Sequence, residues 1–173
     1  MENFKITSLS EKDIEGINKL YNKYINETAF TFDIKEKTYE EKKEWSKTFK
    51  EDSPYQCLVA YDNNNLIGFV SSRPFREKEA YFSSVETSIY IDRDYIGNGY
   101  GKNLLKELFN RISSFGVLKA YAFITKPNNM SEKLHISIGF NHIGTLNKVG
   151  KKFGKYWDVG LFELSLPIKW LLL

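Results

Sequence analysis

Three glycines in five positions, Gly97-Asn98-Gly99-Tyr100-Gly101, run directly into Lys102. They lie between a strand-like run, residues 85–91, and a helix-like run, residues 102–112. A glycine-rich strand-to-helix turn bares backbone N–H groups, and the helix start adds a field that favours anions, so the pattern reads as a phosphate cradle. Two familiar phosphate loops do not fit it. A P-loop needs GxxxxGK and then Ser or Thr for magnesium, but Ile96 stands where its first glycine would precede Gly101-Lys102, and Asn103 follows. A dinucleotide fold needs GxGxxG with an acid about 20 residues on; here the third glycine comes one residue early and the later stretch reads Tyr121-Ala122-Phe123.

Glu86, in the strand-like run, is the candidate general base. Alternation puts Val85, Thr87, Ile89 and Ile91 on one face and Glu86, Ser88 and Tyr90 on the other. Under covering helices, a carboxylate beside a phosphate loop is partly buried and its pKa rises towards working pH. The plainer alternative is a Glu at a wet sheet edge or one paired with arginine. Asn128 follows Pro127 at the start of a further helix, which is an N-cap position. His135 on that helix titrates near neutrality and could donate a proton, or could simply pack. Cys57 lies in the apolar run Cys57-Leu58-Val59-Ala60 and reads as a core thiol rather than a nucleophile.

The surrounding elements must position these groups. Phe4, Ile6 and Leu9 indicate a first strand; Ile14, Ile17, Leu20, Tyr21, Tyr24 and Ile25 recur with helical spacing after a possible cap, Ser10. Thr38 with Glu41 reads as a capping box opening a second helix through Trp45 and Phe49. Strands follow at residues 55–61 and 66–72, joined by the turn Asp62-Asn63-Asn64-Asn65, with a third at 82–91. After the glycine loop and its helix come a strand at 117–125, a helix at 128–138 ending at Gly139, and strands at 140–146 and 156–166. The order βααβββαβαββ predicts one α/β (α+β) domain over residues 1–173, with a mixed, mainly antiparallel sheet covered by helices on both faces.

A chain of 173 residues with net charge +3 is long enough for a full core and has no general affinity for nucleic acid or membrane. The one basic cluster with aromatics is Lys148, Lys151, Lys152 and Lys155 beside Phe153, Tyr156 and Trp157. A single cysteine excludes an internal disulfide and suits a cytoplasmic location. No signal peptide is expected, and the apolar tail Trp170-Leu171-Leu172-Leu173 is too short to span a bilayer.

Ile96-Gly97-Asn98-Gly99-Tyr100-Gly101 resembles the pyrophosphate loop of the GCN5-related N-acetyltransferases (GNAT), patterned Arg/Gln-x-x-Gly-x-Gly/Ala, except at its first residue. Further runs resemble the phosphinothricin and methionine sulfone/sulfoximine N-acetyltransferase branch of that family. Tyr21-Asn22-Lys23-Tyr24-Ile25 with Thr31-Phe32 is similar to YNxYI…TF, residues 74–81 to PFRxRxAY, and Val85-Glu86-Thr87-Ser88-Ile89-Tyr90 to VExSVY. Asn128, Ser131, Leu134, His135, Gly139 and Phe140 fit NxxSxxLHxxxGF, and residues 149–159 resemble VGxKFGxWxDV. The departures are Ile96, Lys78 in place of an arginine, and Tyr156 in place of a tryptophan.

The resemblance implies direct acetyl transfer from acetyl-CoA to a small amino-acid-like amine. It needs no metal and no covalent enzyme intermediate, only a base, a donor to the carbonyl oxygen and a proton for the thiolate. By the same resemblance, the backbone of Ile89, Tyr90 and Ile91 holds the pantetheine arm, Gly97, Asn98, Gly99, Tyr100, Gly101 and Lys102 hold the diphosphate, and Asn128 and Ser131 assist. Phe30, Phe32, Arg73 and Arg76 are then candidates for the acceptor site, an arginine fork suiting a carboxylate or phosphinate. His135 takes the place of a tyrosine proposed in relatives to protonate the thiolate, and a homodimer is implied. A non-catalytic acyl-CoA-binding module is the alternative reading.

Overall fold

The computed structural model describes residues 3–166, and the apolar tail 170–173 lies outside the described residues. The strands are β1 (Phe4–Ser8), β2 (Cys57–Asp62), β3 (Asn65–Pro74), β4 (Ser84–Ile91), β5 (Lys119–Lys126), β6 (Asn141–Lys152) and β7 (Lys155–Ser165). The helices are α1 (Ile14–Glu27), α2 (Tyr39–Ser46), α3 (Tyr100–Ile112) and α4 (Asn129–Ile138). The strands form one sheet in the order β1-β2-β3-β4-β5-β7-β6.

Local chemistry sets the boundaries. The Thr38–Glu41 capping box forms, with Thr38 N–H donating to Glu41 Oε2 (2.7 Å) and Glu41 N–H to Thr38 Oγ1 (3.1 Å). Ser10 caps a 3₁₀ turn, Glu11–Asp13, ahead of α1, donating from N and Oγ to Asp13 Oδ2. Asn63 and Asn64 take φ of 48° and 68° between β2 and β3, the left-handed pair that suits a two-residue hairpin. Most strand ends shift by one or two residues from the sequence reading, and α2 stops at Ser46 rather than running through Phe49; two further differences are larger in consequence. Helix α3 begins at Tyr100 rather than Lys102, and β6 runs past Leu146 to Lys152. The second extension is polar and crosses a register shift between Leu146 and Gly150, so no clean alternation marks it.

Each sheet face has its own core. Under α3, Leu104, Leu105, Leu108 and Phe109 pack with Val70, Val85, Ala120 and Phe162. Under α1 and α2, Ile17 and Leu20 pack with Cys57, Val59 and Phe69. Cys57 is fully buried, which pushes its thiol pKa well up and away from nucleophile chemistry.

The functional geometry comes from the parallel β4–β5 pair. It joins Ser84, Val85 and Glu86 to Lys119, Ala120 and Tyr121. Beyond that, β3 accompanies β4 as far as Ile91, while β7 accompanies β5 as far as Lys126. The two strands therefore splay, and the β5-facing edge of β4 opens onto a wedge. Thr87 Oγ1 donates to the Tyr121 carbonyl (3.2 Å) at the fork.

Candidate active site

The wedge holds a cleft of about 490 Å³, walled by Ser88, Ile89, Tyr90 and Ile91 of β4, by residues 122–125 of β5, and by the starts of α3 and α4. That size suits a small-molecule or cofactor site. At one end Gly97 and Gly99 adopt φ of 89° and 82°, with open space around both. These left-handed conformations are why glycine is needed there. Gly99 caps α3 and carries no side chain to satisfy its first-turn donors. Asn103 N–H reaches the Gly99 carbonyl (3.1 Å), so the N–H groups of Tyr100, Gly101 and Lys102 stand as the orphan donors of a helix N-terminus.

Gly101 is a glycine for another reason. A Cβ there would sit 3.0 Å from Leu134 Cδ2, so its role is to let α3 approach α4. Ile96 packs against the core beneath the loop and also lines the cleft. Gly97, Gly99, Tyr100, Gly101 and Lys102 wall the cleft, whereas Asn98 lies beside it and turns its Nδ2 towards the Tyr95 carbonyl (3.4 Å). Asn128 is the N-cap of α4, accepting from Ser131 N–H at 3.2 Å, and both residues wall the cleft.

At the other end stands Glu86, at the fork itself. It faces Arg73 of β3 across one pairing and Tyr121 of β5 across the other. Glu86 is partly buried and is not part of the cleft wall; Ser88, the next residue on its face, is. Burial raises the Glu86 pKa above the ordinary carboxylate value, and the positive charges of Arg73 and then Arg76 hold that rise back. Both arginines are exposed. Arg76 Nη1 donates to the Phe75 carbonyl (2.8 Å) and its guanidinium lies 4.4 Å from the centre of the Phe75 ring. Phe75 in turn stacks on Tyr121 at 4.4 Å. Arg76 and the aromatics thus form one wall, which Phe123 carries into the cleft.

Phe30 lines the cleft, but Phe32 does not; its ring lies against Gly150 of β6. His135 is 2% exposed. Its Nδ1 donates to the Ser131 carbonyl (2.8 Å), its ring meets Phe140 edge-on at 5.0 Å, and burial lowers its pKa. A neutral ring whose one proton is already committed suits a packed wall better than an acid. Sequence reasoning missed Tyr24, which walls the cleft and donates from its hydroxyl to the Ile91 carbonyl (2.6 Å). Its helical spacing showed a core position and gave no sign of that reach.

Among the described residues no helix is long and apolar enough to cross a membrane, and no group of three or more His, Cys, Asp or Glu could hold a metal. The basic cluster near residue 150 is broken up, because Lys152 is 5% exposed and donates to the Thr31 carbonyl.

Residues 6–161 match the model of the acetyltransferase (GNAT) domain. The chain is 41% identical over 158 residues to a phosphinothricin N-acetyltransferase of Streptomyces coelicolor, covering 90% of this chain and 92% of that one. It is 30% identical over 155 residues to an L-methionine sulfoximine/L-methionine sulfone acetyltransferase of Pseudomonas aeruginosa, covering 89% and 90%. Among solved structures, an N-acetyltransferase from Staphylococcus aureus superposes with TM-score 0.90 at 32% identity, covering 95% of this chain and 99% of that one. A phosphinothricin acetyltransferase from Sinorhizobium meliloti in complex with acetyl-CoA superposes with TM-score 0.88 at 26% identity, covering 95% and 89%.

Proposed function

The chain belongs to the GNAT family and is an N-acetyltransferase acting on a small amino-acid-like amine, and we propose that it moves the acetyl group of acetyl-CoA directly to the α-amine of an anionic acceptor of the phosphinothricin or methionine sulfone type. One observation carries this reading: the unpaired edge of β4 and the bare amides of the α3 start open onto a single cleft whose fork holds a carboxylate of raised pKa. The relatives named for phosphinothricin and for methionine sulfoximine and sulfone support the acceptor class, and the relative solved with acetyl-CoA supports the donor.

In this reading the amides of residues 99–102 hold the diphosphate and the edge of β4 takes up the pantetheine arm as an added strand would. Asn128 and Ser131 contribute polar contacts beside it. A β4 backbone N–H faces the thioester carbonyl and stabilises charge on its oxygen. Glu86, directly or through a water, takes the proton that the acceptor ammonium must lose. The amine nitrogen bonds to the acetyl carbon and gives up its second proton to solvent, the carbon–sulfur bond breaks, and the coenzyme thiolate takes up a proton from solvent to leave as the thiol. Arg73 and Arg76 receive the acceptor's carboxylate or phosphinate, and Phe30 bounds its apolar part.

Purified protein, acetyl-CoA and a panel of amines containing phosphinothricin and L-methionine sulfone test this. Free thiol and N-acetylated amine should appear in equal amounts. Tight binding of acetyl-CoA with no turnover of any amine would point instead to a non-catalytic module.

A further inference from the structure

The turn at residues 28–33, which follows α1, brings Phe30 to the cleft. Side chains hold it. Tyr21 Oη donates to Asp33 Oδ2 (2.8 Å) and accepts from Thr31 Oγ1 (2.8 Å). Two further contacts come from the β6–β7 hairpin, more than a hundred residues along the chain. Lys152 Nζ donates to the Thr31 carbonyl at 2.8 Å, and the Phe32 ring lies so close to Gly150 that a Cβ there would fall 2.2 Å from it.

Neither feature favours the hairpin by itself. Lys152 is 5% exposed, and burial lowers its pKa although the Asp33 carboxylate of the same turn holds that fall back, so burying the cation still carries a net cost. A glycine within a strand sacrifices side-chain packing and adds unfolded-state freedom. Both nonetheless act on the same short turn, through different chemistry and two residues apart. The amide, strand and helix groups assigned to the acetyl donor include none of these residues.

We propose that the β6–β7 hairpin is a clamp on the acceptor turn: Lys152 and Gly150 fix Thr31 and Phe32, and thereby set how far Phe30 stands into the cleft. Lys152 is a positioning residue for the acceptor and not for acetyl-CoA. This rests on the acceptor reading given above. Because a displacement of about 1 Å at a positioning group can cost up to ~100-fold in turnover efficiency, the clamp would discriminate among acceptors while touching none of them.

The test compares the wild type with Lys152→Met, Lys152→Arg and Gly150→Ala, the last of which keeps the charge and removes only the seat of Phe32. Two readouts are taken: hydrogen exchange at the amides of residues 30–33, and steady-state constants with L-methionine sulfone and phosphinothricin. The clamp predicts that Lys152→Met and Gly150→Ala exchange these amides about tenfold faster, with α1 unaltered. It predicts acceptor KM raised about tenfold with the acetyl-CoA Kd within about twofold of wild type, and substantial recovery in Lys152→Arg. Unchanged exchange, faster exchange without a KM change, or equal weakening of acetyl-CoA would each overturn it. If Lys152→Met fails to fold, Gly150→Ala decides alone. If the wild type acetylates neither amine, the acceptor reading fails while the exchange data still judge the clamp.

Discussion

At the loop end of the cleft backbone groups lead: left-handed Gly97 and Gly99, the first turn of α3 with no capping side chain, and the open edge of β4, with Lys102, Asn128 and Ser131 beside them. At the fork they are side chains: Glu86, Arg73 and Arg76, set among the rings of Phe75, Tyr121 and Phe123. Backbone groups are fixed by conformation and survive changes of neighbouring side chains, so under the proposed grip Ile96 can stand where the family pattern has a polar residue. Side-chain groups carry charge that responds to every neighbour. The first end is therefore suited to a constant donor and the second to an acceptor that differs between relatives.

The largest expected effect tests that division at the fork. Glu86→Gln should lower kcat by about 10²–10⁴-fold while the acetyl-CoA Kd stays within about twofold, measured by steady-state kinetics and calorimetry. The same change should not lower Tm at pH 7.5. Burial raises the folded pKa of Glu86 above its unfolded value, so the stability linked to its protonated form is present at acid pH and lost as pH rises through the folded pKa. The variant should thus be at least as stable as wild type at neutral pH, with the gap closing on acidification.

The next effect falls on the loop. Gly99→Ala meets no neighbour but forces an alanine to φ of 82°, a left-handed strain of about 1–2 kcal/mol. Relaxing it moves the α3 amides, and the acetyl-CoA Kd should rise about tenfold, with kcat at saturating donor nearly unchanged. A large loss of kcat here would blur the division between the two ends.

Arg73→Gln sharpens it again. Arg73 holds the Glu86 pKa down, so removing it should move the acid limb of the kcat/KM profile to higher pH, and raise acceptor KM without altering the acetyl-CoA Kd. Arg76→Gln should shift the limb the same way by less, since Arg76 is the smaller of the two influences. The smallest effect is expected at Ile96→Gln. If the grip is backbone, the acetyl-CoA Kd should change less than about threefold, which titration with the coenzyme would show.

The sequence made the backbone end legible because glycine spacing and the strand-to-helix order are local signals, and the Thr38 capping box and the asparagine turn were legible for the same reason. Gly101 is a first-turn amide of α3, as its place in the loop implies, and its close approach to Leu134 adds a packing reason for the glycine; a contact with a helix about thirty residues later leaves no local mark. The fork was only partly legible. Strand alternation gave the face of Glu86, yet its register with Arg73 and Tyr121 depends on pairings with β3 and β5. The family resemblance groups Phe32 with Phe30 at the acceptor site, but the ring of Phe32 lies against Gly150, a contact between residues far apart in the chain. For His135, sequence supplied the residue type; its 2% exposure and committed Nδ1 proton follow from tertiary packing.

The most direct test is a crystal structure of this protein with acetyl-CoA. The diphosphate should lie on the N–H groups of residues 99–102, with the pantetheine arm hydrogen-bonded along residues 89–91 of β4 and the acetyl carbon on the Glu86 side of the fork. A coenzyme bound elsewhere, or one whose thioester points away from that carboxylate, would contradict the account.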